Sequence, residues 1–189
     1  MPLKIRTTFP TQGVKLTDEP LSVAELQACA SAIVAYVEQY RPEYANLVRL
    51  QRNAGNRITE MFQPTRWTFP TSTSVQIKPQ KGNATRVVAL ADLGFTNADA
   101  MAATMADMAR LPKGQYERAF SQAVRTIGLW RLYDSGFTFP STHFFRHLRI
   151  KELKEKNFDL DYIANWIGEK RAENLNYYLD SQFYSEVER

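Results

Sequence analysis

The stretch THFFRH, residues 142–147, holds both histidines of the 189-residue chain, with Arg146 between them and two phenylalanines alongside. Pro140-Ser-Thr just upstream reads as a helix start. It predicts a helix over about 142–156 with His143, Arg146 and His147 in its first turns. Residues three apart share a helix face, which aims His143 and Arg146 the same way. A helix N-terminus also favours anions. Taken alone, the stretch is better described as a solvated cationic face above two buried phenylalanines, because short motifs recur by chance.

Downstream, Asp159 caps a further helix expected to end near Gly168, with Glu169 next. A last helix holds Leu175-Asn-Tyr177-Tyr178-Leu179, followed by a polar tail. Upstream, Gln115–Tyr133 reads as one helix with Phe120, Val124, Ile127 and Leu132 on one side, and Asn97–Arg110 as another. Between about 65 and 90 the chain turns β-branched and aromatic: Trp67-Thr-Phe69, Ser74-Val-Gln-Ile-Lys78 and Thr85-Arg-Val-Val-Ala-Leu90. Two or three antiparallel strands are predicted there, with Lys81-Gly82-Asn83 as a turn. Nearer the N-terminus, Ser22-Val-Ala-Glu25 is a capping box that opens a helix to about Tyr40. Helices over about Pro42–Asn53 and Asn56–Phe62 follow, broken at Ala54-Gly55. The fold class is mainly α with a small antiparallel β-sheet (α+β). Residues 1–20 read as an extended arm, 21–180 as the folded domain and 181–189 as a C-terminal tail.

Hydrophobic residues make up 44% and charged residues 23%, which suits one ordinary core. A net charge of +4 and a pI near 9.2 permit an anionic partner without demanding one. Cys29 is the single cysteine, so an intrachain disulfide and a cysteine-rich zinc site are excluded. It falls in an apolar helical run and reads as a buried thiol. The N-terminus lacks the apolar core of a signal peptide. No apolar run is long enough for a membrane span, so a cytoplasmic location is expected.

Read in order, these motifs resemble the catalytic domain of the tyrosine recombinase (phage integrase) family. The resemblance rests on Gly55-Asn-Arg57-Ile-Thr-Glu60, Lys81 at the turn between two strands, His143-Phe-Phe-Arg146-His147, Ile167-Gly168-Glu169, and Tyr178. Arg57 and Lys81 stand 24 positions apart, Arg146 and Glu169 23, and Glu169 and Tyr178 9, which match the family's usual spacings. It covers roughly residues 21–180. It implies a site-specific recombinase that cuts and rejoins double-stranded DNA through a 3′-phosphotyrosyl link, with no cofactor and no metal. Tyr178 would be the nucleophile, chosen over Tyr177 by the spacing, with Tyr177 packing inward. Arg57, Arg146 and His143 would stabilise the charged phosphorane. Lys81 would be the general acid, with Lys78 a nearby competitor, and His147 a brace. Arg86 and the Arg110–Lys113 segment read as contacts to the DNA backbone, and Trp166 as core.

Glu169 departs from the pattern, since the family most often has histidine there. A carboxylate beside a phosphate is unfavourable unless it is turned away or held by Arg57 or Lys170. The twenty residues of the arm are too few for the family's N-terminal clamping domain, so the chain is either a fragment or a minimal member. The resemblance implies a monomer in solution that assembles as a homo-tetramer on paired sites. Two other functions fit the same residues: a DNA-binding relic with weak or no catalysis, and strand relaxation of the type IB topoisomerase kind. The tail's apolar residues could fill a neighbour's groove or fold back on their own domain.

Overall fold

Helix starts and stops account for most of the architecture in the computed structural model, which describes residues 20–79, 84–132 and 141–185. Most of the expected arm and the Lys81-Gly82-Asn83 turn therefore lie outside the described residues. Helix α1 (Val23–Tyr40) begins at the expected capping box, with Ser22 and Glu25 bonding each other's backbone. A 3₁₀ turn at Pro42–Tyr44 leads into α2 (Ala45–Ala54), and the short α3 (Ile58–Met61) follows. The sheet has three antiparallel strands in the order β1 (Trp67–Thr71), β2 (Ser74–Ile77), β3 (Arg86–Ala89). Val75, Ile77 and Val88 turn into the core while Val87 is 57% exposed, the alternation of a half-covered sheet.

Helix α4 (Ala102–Arg110) continues from a 3₁₀ turn capped by Asn97. The next element corrects the sequence reading. Helix α5 spans Lys113–Ile127 rather than running to Tyr133, and Leu129–Leu132 is strand β4. Gly128 sits at φ 81, a left-handed backbone that glycine adopts without steric cost, and its N–H closes the helix end. Leu132 stands five residues after Ile127, off the spacing set by Phe120, Val124 and Ile127, and belongs to the strand instead. Helices α6 (Phe144–Glu155), α7 (Leu160–Ile167) and α8 (Leu175–Leu179) complete the set. Asp159 caps α7 and Gly168 ends it, as predicted.

The segment read as a tail contains strand β5 (Phe183–Ser185), which pairs antiparallel with β4. Phe183 is 1% exposed and packs edge-on against Phe144 and His147. Its carbonyl accepts the Leu21 N–H at 2.8 Å, tying the entry to α1 to the end of the chain. The tail's apolar residue thus folds back on its own domain. The main core lies among α1, α2, α5 and α6. Ile33, Val37, Leu47, Val48, Phe120, Val124, Phe145 and Leu148 are all buried there. Each such side chain stabilises the fold by about 1.5–3 kcal/mol of apolar burial. Cys29 is buried in the same core, and burial pushes its thiol up to about 12, so it is inert.

Candidate active site

Helices α2 and α7 end side by side, and helix C-termini leave carbonyls without intrahelical partners. Two arginines take them up in register. Arg86, from β3, donates to Ala54 O at 3.0 Å and Trp166 O at 2.8 Å. Arg146, from α6, donates to the next carbonyl of each helix end, Gly55 O at 3.1 Å and Ile167 O at 2.9 Å. Gly55 allows this approach: a Cβ there would lie 2.8 Å from Ile167 Cδ1 and 3.2 Å from Arg149 Cβ. Arg86 is therefore a buried structural tie and not the surface contact that its sequence context suggested. Its neighbour Trp166 is core, as expected. Arg110 and Lys113 lie on the surface, with Arg110 bonded to Asp107.

The rest of the Arg146 guanidinium faces a small polar cluster. Its Nε donates to the Tyr178 hydroxyl at 3.1 Å and its Nη2 to Glu169 Oε1 at 2.9 Å. Arg57, in the N-cap position of α3, donates through Nη2 to the same Oε1 at 2.8 Å. Its other face meets Glu60 Oε1 at 3.4 Å. Glu60 is held by the Arg57 N–H and by Asn56 Nδ2. The Tyr178 hydroxyl donates to Glu169 Oε1 at 3.1 Å and lies 3.2 Å from His143 Nε2. The i, i+3 relation between His143 and Arg146 thus puts both on one phenol oxygen. Five of the six expected site residues converge here: Arg57, His143, Arg146, Glu169 and Tyr178. The sixth, Lys81, lies outside the described residues.

The electrostatics follow from burial among arginines. Burial, then the charges of Arg146 and Arg57, pushes His143 down to about 4, so its imidazole is neutral at pH 7. Burial, then His143, Lys151 and Arg146, takes His147 down to about 3. Burial raises the Tyr178 phenol above its ordinary value, with Arg146 opposing and Glu169 adding to the rise. Burial alone would raise Glu169, but hydrogen bonds and charge from Arg146, with Arg57 and Tyr178, outweigh it and hold the carboxyl below the usual range.

The two adjacent tyrosines separate cleanly. Tyr178 is 5% exposed with its oxygen in the cluster, whereas Tyr177 is 49% exposed. Tyr177 does not pack inward as expected, because a five-residue helix turns neighbouring side chains to different faces. Sequence reasoning missed the support beneath Tyr178. Ser181 Oγ donates to the Tyr178 carbonyl at 2.6 Å and lies 2.8 Å from His147 Nδ1. Lys151 Nζ donates to Leu179 O at 3.2 Å and Ser181 O at 2.7 Å, satisfying the carbonyl end of α8. The one available signal was Lys151 four residues after His147, on the same face of α6. His147 thus reaches the Tyr178 backbone through Ser181 and not the Arg146 cluster directly. Among the described residues, no cluster of histidine, cysteine, aspartate and glutamate has the arrangement of a metal site. No helix there is long and apolar enough to cross a membrane.

No family model matches the chain, and no curated protein matches it in sequence. Solved structures do match. A lambda integrase dimer bound to a COC′ core site aligns with TM-score 0.60 and 18% identity, over 85% of this chain and 47% of that one. XerA recombinase aligns with TM-score 0.56 and 12% identity, over 86% and 60%. XerH site-specific recombinase, in a pre-cleavage complex with its difH substrate, aligns with TM-score 0.55 and 14% identity, over 88% and 50%. The fold is that of a tyrosine recombinase catalytic domain. The chain covers between 47% and 60% of the length of these relatives.

Proposed function

We propose that this chain carries the strand-transfer chemistry of a site-specific DNA recombinase, with Tyr178 as nucleophile. The observation that carries the reading is the convergence of Arg146, His143 and Arg57 around one buried phenol oxygen and the oxygen site beside it. The phenol oxygen attacks the scissile phosphorus and forms a 3′-phosphotyrosyl bond as the bond to the 5′ oxygen breaks. Once a phosphate displaces Glu169, which accepts the phenol hydrogen in the free protein, the His143 imidazole 3.2 Å from that oxygen is placed to take the proton. The departing 5′ oxygen takes a proton from Lys81. Arg146 and Arg57 offset the charge that builds on the equatorial oxygens, where forked guanidinium donors are well suited. Keeping the bond energy in the phosphotyrosine lets a second 5′ hydroxyl reverse the step without a nucleotide cofactor. The fold neighbours support double-stranded DNA as partner, since lambda integrase and XerH are seen on their DNA sites. Assembly from monomers to a tetramer on paired sites, in the cytoplasm, belongs to the same reading.

A second reading, DNA binding without turnover, is favoured by Glu169, whose carboxylate sits among the very donors a phosphate needs. One experiment separates them. On a nicked suicide duplex carrying the recognition site, the chain forms a covalent adduct on a denaturing gel. Tyr178→Phe abolishes that adduct while retaining binding, and Tyr177→Phe leaves it intact. Adducts that persist in Tyr178→Phe would remove the proposed nucleophile. Binding without adduct in the unaltered chain would favour the second reading.

A further inference from the structure

A single oxygen, Glu169 Oε1, accepts from Arg57 Nη2, Arg146 Nη2 and the Tyr178 hydroxyl at 2.8, 2.9 and 3.1 Å. Two guanidiniums and a phenol around one oxyanion form the donor set that a phosphoryl oxygen would use. Phosphate and carboxylate cannot share the place. Glu60 is not a comparable occupant, because the N-cap of α3 and Asn56 already fix it. We infer that Glu169 fills the phosphoryl-oxygen position in the free protein and is a specificity-determining residue. It excludes isolated phosphate and yields to a phosphodiester held by further backbone contacts. The inference rests on the proposed function for the identity of the site, and it concerns what reaches that site.

The physical basis is competition. A carboxylate on the same chain acts at an effective concentration in the millimolar range or above, so a free anion must exceed that to displace it. A DNA phosphate arrives with neighbouring phosphates already bound to other cations, which makes its entry intramolecular as well. Glu169 stands where the resembling family most often has histidine. The geometry gives the departure a use, since histidine would leave the two arginines open to any small oxyanion.

The test uses the full chain and inorganic phosphate at constant ionic strength, read by calorimetry and by thermal unfolding. The unaltered protein shows no saturable binding at phosphate concentrations up to about 10 mM. Glu169→Gln keeps the shape but removes the charge, and it binds phosphate at least roughly tenfold tighter, with a matching rise in Tm on adding phosphate. Glu169→Ala serves as the second variant. If either is less stable alone, phosphate restores its Tm more than it shifts that of the unaltered chain. Adding Arg57→Ala to Glu169→Gln removes the gain. Phosphate also competes with DNA for Glu169→Gln and not for the unaltered chain. Equal phosphate binding and equal Tm response in all three proteins would overturn the inference. Because this readout needs no strand cleavage, a phosphate gain without any covalent adduct would remove the proposed reaction and keep the inference. Adducts without a phosphate gain would do the reverse.

Discussion

Arg86 and Arg146 make the same bond twice. Each takes one carbonyl from the end of α2 and one from the end of α7, and both are buried. They differ on the other edge of the guanidinium. Arg86 lies with its guanidinium carbon 5.5 Å from the Trp166 ring centroid, and burial pulls its pKa down to about 9. Arg146 turns Nε and its second Nη toward a phenol and a carboxylate. Neither burial nor residue type tells these two arginines apart. The separation comes from which donors are left after the scaffold is tied, and whether they meet an anion.

Three measurements test this contrast. Arg146→Ala and Arg57→Ala slow adduct formation by about 100-fold or more, the usual loss when a preorganised charge stabiliser is removed. Lysine at either position recovers part of the rate, because it lacks the fork. Single-turnover cleavage on the nicked duplex checks this, and unchanged rates in both alanine variants would break the contrast from the chemical side.

Arg86→Ala acts on stability instead. It strands two buried carbonyls at about 1–3 kcal/mol each. For a domain of this size that lowers Tm by roughly 4–24 °C. The folded fraction still forms adducts at a rate within about tenfold of normal, a smaller effect than loss of a charge stabiliser. A full loss of cleavage in a folded Arg86→Ala protein would erase the distinction.

The smallest effect is in pH. Both imidazoles have folded pKa values, about 4 for His143 and about 3 for His147, below the ordinary 6.5. Their contribution to stability is complete above about pH 6.5. It is lost as pH falls toward 4 and then 3, because the unfolded chain binds the protons first. Denaturant midpoints therefore decline from pH 7 to 4.5, and His147→Asn flattens that decline. Cleavage shows no imidazole titration between pH 6 and 8, since His143 is neutral throughout. A histidine step in that range would place its charge on the wrong side of the comparison.

Much of this was legible in the sequence because the signals were local. Ser22 with Glu25, Asp159, Gly55 and Gly168 each mark a helix end within a few residues of where it falls. Tyr178, Arg146 and His143 were picked out by the resemblance to the tyrosine recombinases, and the structure brings their side chains together. Gly128 was a missed stop, because the strand partner of Leu129–Leu132 lies at Phe183–Ser185, far along the chain. Arg86 looked like a surface cation because charge is read from sequence while burial is set by packing. The role of Ser181 depended on a carbonyl only three residues away but on an imidazole of another helix. Glu169 was visible as a departure, and its partners were suspected only in part.

The arginine tie has a consequence for how the chain matures. Arg146 reaches Gly55 across 91 positions, Arg86 reaches Trp166 across 80, and Arg57 reaches Glu169 across 112. Contacts so distant along the chain form late, after the loops between them have closed. The donors that would activate a phosphate are assembled by those same contacts. A chain in which the segments around Gly55 and Arg146 have not yet met lacks the donors that surround the Tyr178 oxygen. The polar cluster around Tyr178 therefore comes into being only with the finished fold.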